Sequence, residues 1–199
     1  MEILILAVVT LPLLTALFLK VANRFLNELL TNFITINAAL LSVAVSFFMF
    51  GYLLLDKFKP IKFELFEWYP SPQIIFEFYL DGLSGVMMVL ISGLSLVIQL
   101  FSTSYMSKDE KYTKYFEYFN FFVFSMLLLV LSGNFLVMFF GWELVGLSSY
   151  LLISFWYRKK ICSKSWEIRL YILNRIGDFG FLIGLMMILN HFTNYFNFI

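Results

Sequence analysis

Apolar residues along this chain come in long runs separated by short charged clusters, and the runs suit a bilayer better than the core of a soluble domain. Charge-free stretches cover Ile3–Leu19, Leu29–Leu55, Gly82–Ser107, Tyr118–Trp142, Leu144–Tyr157 and Phe179–Ile199. Most of them reach the roughly 20 residues that carry a helix across the hydrocarbon core. From Tyr118 to Tyr157 the single charged side chain is Glu143. As one helix that run would extend roughly 60 Å, about twice the core thickness, so it must fold back. Ser132-Gly133-Asn134 is the turn signal within it. The pattern predicts an all-α, polytopic membrane protein with about six transmembrane helices, at 3–20, 31–55, 81–104, 113–132, 134–157 and 166–190. The sixth starts ahead of its charge-free run and includes Arg175 and Asp178. Pro12 in the first is tolerable in lipid, where neighbouring groups re-satisfy the freed carbonyl.

Between the second and third spans lies the one long loop, Asp56–Ile75. It holds Pro60, Pro70, Pro72, Glu64, Glu67 and Trp68. Its composition is compatible with a passive connector, the default for such loops, or with a short hairpin or cover over the helix ends. Asp81, at the head of the third helix, reads as a cap or a charge on the helix dipole. Gly82, Gly85, Ser92 and Gly93 in the third helix, and Gly177, Gly180 and Gly184 in the sixth, predict close helix packing.

Composition agrees with the patterning. The chain has 199 residues, 61% hydrophobic and 21% aromatic, with a mean hydropathy of +0.87. Soluble domains are nearer half apolar. A net charge of +1 offers no basic patch, so no nucleic-acid partner is expected. The single cysteine, Cys162, cannot make an internal disulfide or a metal centre alone, and no phosphate-binding glycine loop is present. Ile3–Leu19 is followed by its basic residues, Lys20 and Arg24, and lacks a small-residue cleavage site. It is therefore expected to be a permanent span, not a removable leader.

Charge asymmetry predicts the orientation. Lys20, Arg24, Lys108, Lys111, Lys114, Arg158, Lys159, Lys160, Lys164 and Arg169 fall on one side, and Lys57, Lys59 and Lys62 on the other: ten against three. The positive-inside rule then places both termini on the side away from the basic loops.

Three ionisable side chains fall at membrane depth: Glu143, Arg175 and Asp178. Arg175 and Asp178 are three residues apart on one helix and can pair. Counted from helix midpoints, all three lie within roughly 10 Å along the membrane normal. A carboxylate in hydrocarbon costs several kcal/mol unless partnered, hydrated or protonated. Such a cluster fits a proton or ion relay, because a cation that moves changes the proton affinity of a nearby carboxylate. The structural alternative is an ion pair that clamps the sixth helix. His191, near the outer end of that helix, reads as incidental at the interface, with a possible place at a proton exit.

Several blocks carry a family resemblance. Leu80-Asp-Gly-Leu-Ser84, Tyr105-Met106, Gly141-Trp-Glu143, Leu147-Ser-Ser-Tyr-Leu-Leu-Ile-Ser-Phe-Trp-Tyr157 and Asn174-Arg-Ile-Gly-Asp178 resemble the amino-terminal part of chain 5 of NADH:ubiquinone oxidoreductase, respiratory complex I. The likeness covers most of residues 78–190, while residues 1–77 fit in helix count and hydropathy. It implies an incomplete antiporter-like bundle: two peripheral helices and an outward-facing loop in 1–77, and helices three to six of the proton-translocation module in 78–199. It also implies a membrane-arm subunit that couples quinone reduction elsewhere to proton movement, with no redox catalysis in this chain. Glu143 would couple to a lysine on helix seven, and Arg175 and Asp178 match charged positions of the family. NADH, FMN, iron–sulfur clusters and ubiquinone would belong to other subunits. The expected surroundings are the lipid bilayer, other membrane-arm subunits and a second polypeptide carrying the remaining helices. The abundance of Phe, Leu, Ile, Tyr, Lys and Asn, residues favoured by AT-rich coding, suggests the mitochondrial inner membrane, with both termini in the intermembrane space. Two alternatives remain: the large subunit of a multisubunit sodium/proton antiporter, and a structural membrane-arm protein without transport.

Overall fold

The computed structural model describes residues 2–23, 25–70, 73–107, 109, 111–155 and 164–191, with side chains omitted at 68–70, 73–74, 164–168, 170–171 and 189–191. Six helices appear in the expected order: α1 (Glu2–Ala22), α2 (Glu28–Leu55), α3 (Gly82–Tyr105), α4 (Tyr112–Val130), α5 (Phe135–Ile153) and α6 (Lys164–His191). Among the described residues α1, α2, α3 and α5 are each long and apolar enough by themselves to cross a membrane. The other two are more polar, α4 through Lys114 and Glu117 and α6 through Arg169, Arg175 and Asp178. Arg24, Lys108, Arg158, Lys159, Lys160 and Cys162 lie outside the described residues.

The helix boundaries have local causes. Asp81 caps α3 through a capping box: its Oδ1 accepts from the Ser84 amide at 2.7 Å, and its own amide donates to Ser84 Oγ at 2.7 Å. Asn134 caps α5, accepting from the Val137 amide at 2.8 Å. That cap ends the predicted turn at Ser132–Asn134. After α2 the chain reverses through Lys57 and Phe58, both with positive φ, and the Phe58 amide returns to the Leu53 carbonyl at 2.8 Å.

Small polar side chains are set among the apolar core of the bundle, and its outer face is apolar, an arrangement lipid favours. Thr31, Thr35, Ser42 and Ser46 of α2 are buried, as are Ser92, Ser95, Gln99 and Ser102 of α3. Leu30, Phe33, Phe47, Leu90, Val97 and Phe101 are exposed on the same helices. Lipid tails offer no hydrophobic drive for helix association, so small side chains and interhelical hydrogen bonds hold the helices together. Gln99 Nε2 donates to Asn120 Oδ1 at 3.3 Å, and the Ser102 and Tyr115 hydroxyls pair at 3.0 Å. Thr31 pairs with Thr113 at 3.2 Å, and the Tyr112 hydroxyl donates to Asn32.

Glycines matter where helices meet. A Cβ on Gly141 would stand 2.8 Å from Leu129 Cα, so this glycine sets how closely α5 approaches α4. Gly85 likewise faces Leu53 and Phe50 of α2. The expectation of close packing fails at Gly93, Gly177, Gly180 and Gly184, where a Cβ would meet open space among the described residues.

The long loop folds as a cover. β1 (Ile61–Pro70) and β2 (Gln73–Leu80) form an antiparallel hairpin with Ile61 opposite Leu80 and Phe63 opposite Phe78. Period-two alternation points Ile61 and Phe63 at the bundle and leaves Lys62 and Glu64 exposed. Phe78 and Leu80 enter the same core cluster as Met49, Leu53, Met88 and Leu127. The hairpin also binds the α4–α5 turn: the Tyr79 amide donates to the Leu131 carbonyl and the Gly133 amide to the Glu77 carbonyl, each at 2.9 Å. Asn134 Nδ2 donates to the Ile75 carbonyl at 2.5 Å.

Candidate functional site: a charge cluster between α5 and α6

The α5–α6 contact is built from aromatic rings and charges. Phe181 of α6 stacks on Phe139, with centroids 5.5 Å apart, and on Trp142 at 6.3 Å. These rings set the helices side by side and align the two charged levels. Arg175 then reaches across the interface to an ion pair with Glu143, through Nη1 and Oε2. The same nitrogen stands 3.7 Å from Asp178 Oδ2, three residues on along its own helix. All three residues singled out from the sequence therefore form one group, with a single guanidinium between two carboxylates.

A fourth member escaped the sequence reading. The Trp142 indole N–H donates to Asp178 Oδ1 at 2.9 Å. Its position beside Glu143 was the available signal, but the hydrogen bond depends on how α6 is turned. Asp178 is consequently the most enclosed of the three, with its side chain 9% exposed, against 23% for Glu143 and 36% for Arg175. Glu143, which has no acceptable partner on its own helix, acquires one only across the interface.

Beside the cluster lies a cavity of about 660 Å³ between α4, α5 and α6. Leu129, Trp142, Ser149, Asn174, Asp178 and Phe181 are among its walls. The group thus sets two carboxyl groups against one guanidinium at the edge of a cavity with a mainly apolar lining. Removing the guanidinium would leave two carboxylates to be hydrated or protonated, which is the electrostatic basis of a proton relay.

His191 stands apart. It ends α6, thirteen residues beyond Asp178, or roughly 20 Å along a helix; its side chain lies outside the described residues. Among the described residues no group of three or more His, Cys, Asp or Glu could hold a metal ion.

Two family models match the chain. One, described as the N-terminus of chain 5 of NADH-ubiquinone oxidoreductase (complex I), covers residues 68–116; the other, the transmembrane region of NADH:quinone oxidoreductase and Mrp antiporters, covers 132–199. Together they take in β2 with the end of β1, the α3 cap and the whole charge cluster. The chain belongs to the antiporter-like chain 5 family of NADH:quinone oxidoreductases. Chain 5 of NADH-ubiquinone oxidoreductase from Rhizopus stolonifer is 36% identical over 191 residues, which is 95% of this chain and 29% of the relative. Subunit L of NADH-quinone oxidoreductase from Rickettsia bellii is 33% identical over 192 residues, or 94% of this chain and 30% of the relative. The chain thus spans under a third of the length of these antiporter-like relatives. A chain in the structure of a membrane-bound sulfane sulfur reductase, an archaeal respiratory membrane complex, shares the fold with a TM-score of 0.82 at 20% identity, over 97% of this chain and 38% of that one.

Proposed function

We propose that this chain forms the N-terminal part of a chain 5-type membrane-arm subunit in a proton-translocating NADH:quinone oxidoreductase. Glu143, Arg175 and Asp178 would contribute one section of a proton path, and residues 78–199 the part of the module that bears it. The observation that carries this reading is the guanidinium of Arg175 between carboxylates of two different helices. An ion pair serving only to clamp α6 needs one carboxylate; the second gives Arg175 an alternative position and makes the group switchable. Redox chemistry and its cofactors belong, in this reading, to other subunits.

Antiporter-like helices that complete the module are the neighbours this reading gives α6. The outward face of α6 supports it: among the described residues a Cβ at Gly180 or Gly184 would meet nothing within 4 Å, and Ile172, Ile176, Phe179 and Ile183 are exposed beside them. The proposed setting is the mitochondrial inner membrane, multi-pass, with both termini in the intermembrane space. The match to a model that also describes Mrp antiporters favours a second reading, the large subunit of a sodium/proton antiporter.

The deciding experiment isolates the native complex from mild-detergent membranes, stains for NADH dehydrogenase activity and identifies its polypeptides by mass spectrometry. Glu143→Gln is then introduced. We expect an assembled, NADH-oxidising complex with reduced proton pumping that also contains the later antiporter-like helices. Transport independent of NADH and quinone would favour the antiporter reading. Unchanged pumping in Glu143→Gln would leave the cluster a structural role.

A further inference from the structure

We propose that the groove between α1, α4 and α5, at the basic end of the bundle, binds one acidic membrane phospholipid. The groove encloses about 560 Å³ and is separate from the charge cluster, none of whose members line it. Its polar positions are Lys20, Asn23, Lys114 and Glu117. Its walls include Leu13, Leu17, Phe121 and Leu151.

The two kinds of residue are sorted along the membrane normal. On α1, Leu13 and Leu17 come before Lys20, and Asn23 follows just past the helix end. On α4, which runs the opposite way, Lys114 and Glu117 come before Phe121. On α5, Leu151 lies one turn deeper than the helix end at Ile153 and Ser154. α1 and α4 therefore place charge at the interface, and all three helices place apolar surface at greater depth, the gradient of an amphiphile with its head at the membrane surface. An acyl chain fills the apolar walls, which in a bilayer would otherwise face lipid in no particular order.

Charge selects the headgroup. Among the described residues, two ammonium groups and one carboxylate leave the rim with an excess of one positive charge. A lipid of one net negative charge neutralises it, whereas a zwitterionic lipid leaves the excess uncompensated. Lys114 lies over the ring of Tyr118, 5.6 Å from its centroid, which holds one ammonium at the groove. Lys20 is on the facing helix, so a phosphate between them accepts from both, with the Asn23 amide as a further donor.

The test uses native membranes containing the whole complex. Phosphatidylglycerol and phosphatidylcholine probes, each with a photoactivatable group in mid-chain, are crosslinked separately and in competition, and adducts are mapped by mass spectrometry. The expected result is labelling of the peptides bearing Leu13, Phe121 and Leu151, with the acidic probe preferred. In the Lys20→Gln/Lys114→Gln variant that preference should fall on the order of tenfold, while phosphatidylcholine labelling stays constant. Equal labelling by both probes in the unaltered complex would overturn the proposal. So would a groove shielded from both probes and crosslinked instead to a neighbouring subunit's helix. The competition in the unaltered complex decides the matter even where the double variant fails to assemble.

Discussion

Trp142 and Asp178 are joined across the α5–α6 interface by a hydrogen bond from the indole N–H to Oδ1, 2.9 Å long. The bond ties the residue next to Glu143 to the second carboxylate of the cluster, so both halves of the site move with the helix contact. Trp142→Phe keeps a ring to stack on Phe181 and removes the donor. The expected cost is about 1.5–3 kcal/mol, the range for a hydrogen bond to a charged group. It should appear as a lower melting temperature of the detergent-purified complex. An unchanged melt would mean that water or another donor replaces the indole.

Arg175→Gln should be the more damaging change, because it leaves Glu143 and Asp178 facing each other without a cation. Breaking a buried pair costs about 3–5 kcal/mol, and with Arg175 only partly enclosed the lower end is expected. Adding Glu143→Gln should restore part of the lost assembly. A double-mutant cycle on complex yield measures the coupling, and simple additivity of the two changes would contradict the ion pair.

Gly133→Ala should detach the cover. A Cβ there would stand 2.5 Å from Glu77 Cγ and 3.1 Å from the Glu77 carbonyl oxygen, contacts that cannot be accommodated without moving β2. Overpacking of this kind costs about 1–3 kcal/mol. Faster hydrogen exchange at the Tyr79 and Gly133 amides would report it, since both bond across this junction. Gly146→Ala, where a Cβ meets nothing within 4 Å among the described residues, is the matched control.

Docking of the hairpin should depend on pH through Glu77. Burial pushes its carboxyl above the ordinary value of 4.5, Lys62 pulls it down, and Glu64, its cross-strand neighbour, pushes it up again. A carboxyl whose folded pKa exceeds its unfolded one binds protons more tightly when folded. Its contribution to stability is therefore complete below 4.5 and is lost as pH rises through the folded value. Protection factors for the Tyr79 and Gly133 amides should fall over that interval. Glu77→Gln should flatten the dependence, and a protection that instead rises with pH would reverse the assignment.

The six helices, their order, the turn at Ser132–Asn134 and the Asp81 cap were all legible in the chain. Each depends on local or one-dimensional information: the length of an apolar run, or a side chain that can reach a nearby amide. The loop 56–75 was ambiguous because its alternating side chains acquire meaning only when β2 pairs with β1 and with the turn beyond α4. Arg175 could be paired with Asp178 from spacing alone, since three residues is a fixed distance on a helix. Its partnership with Glu143 and the Trp142 bond to Asp178 could not, because both depend on how α5 and α6 are rotated about their axes. That rotation is set by the stack of Phe139, Trp142 and Phe181 and by the closeness Gly141 allows to α4. Sequence by itself determined which helices carry the three charges and how far along each they lie; the tertiary structure decided which of them touch, because contact between helices is a matter of azimuth, which no spacing along a single helix encodes.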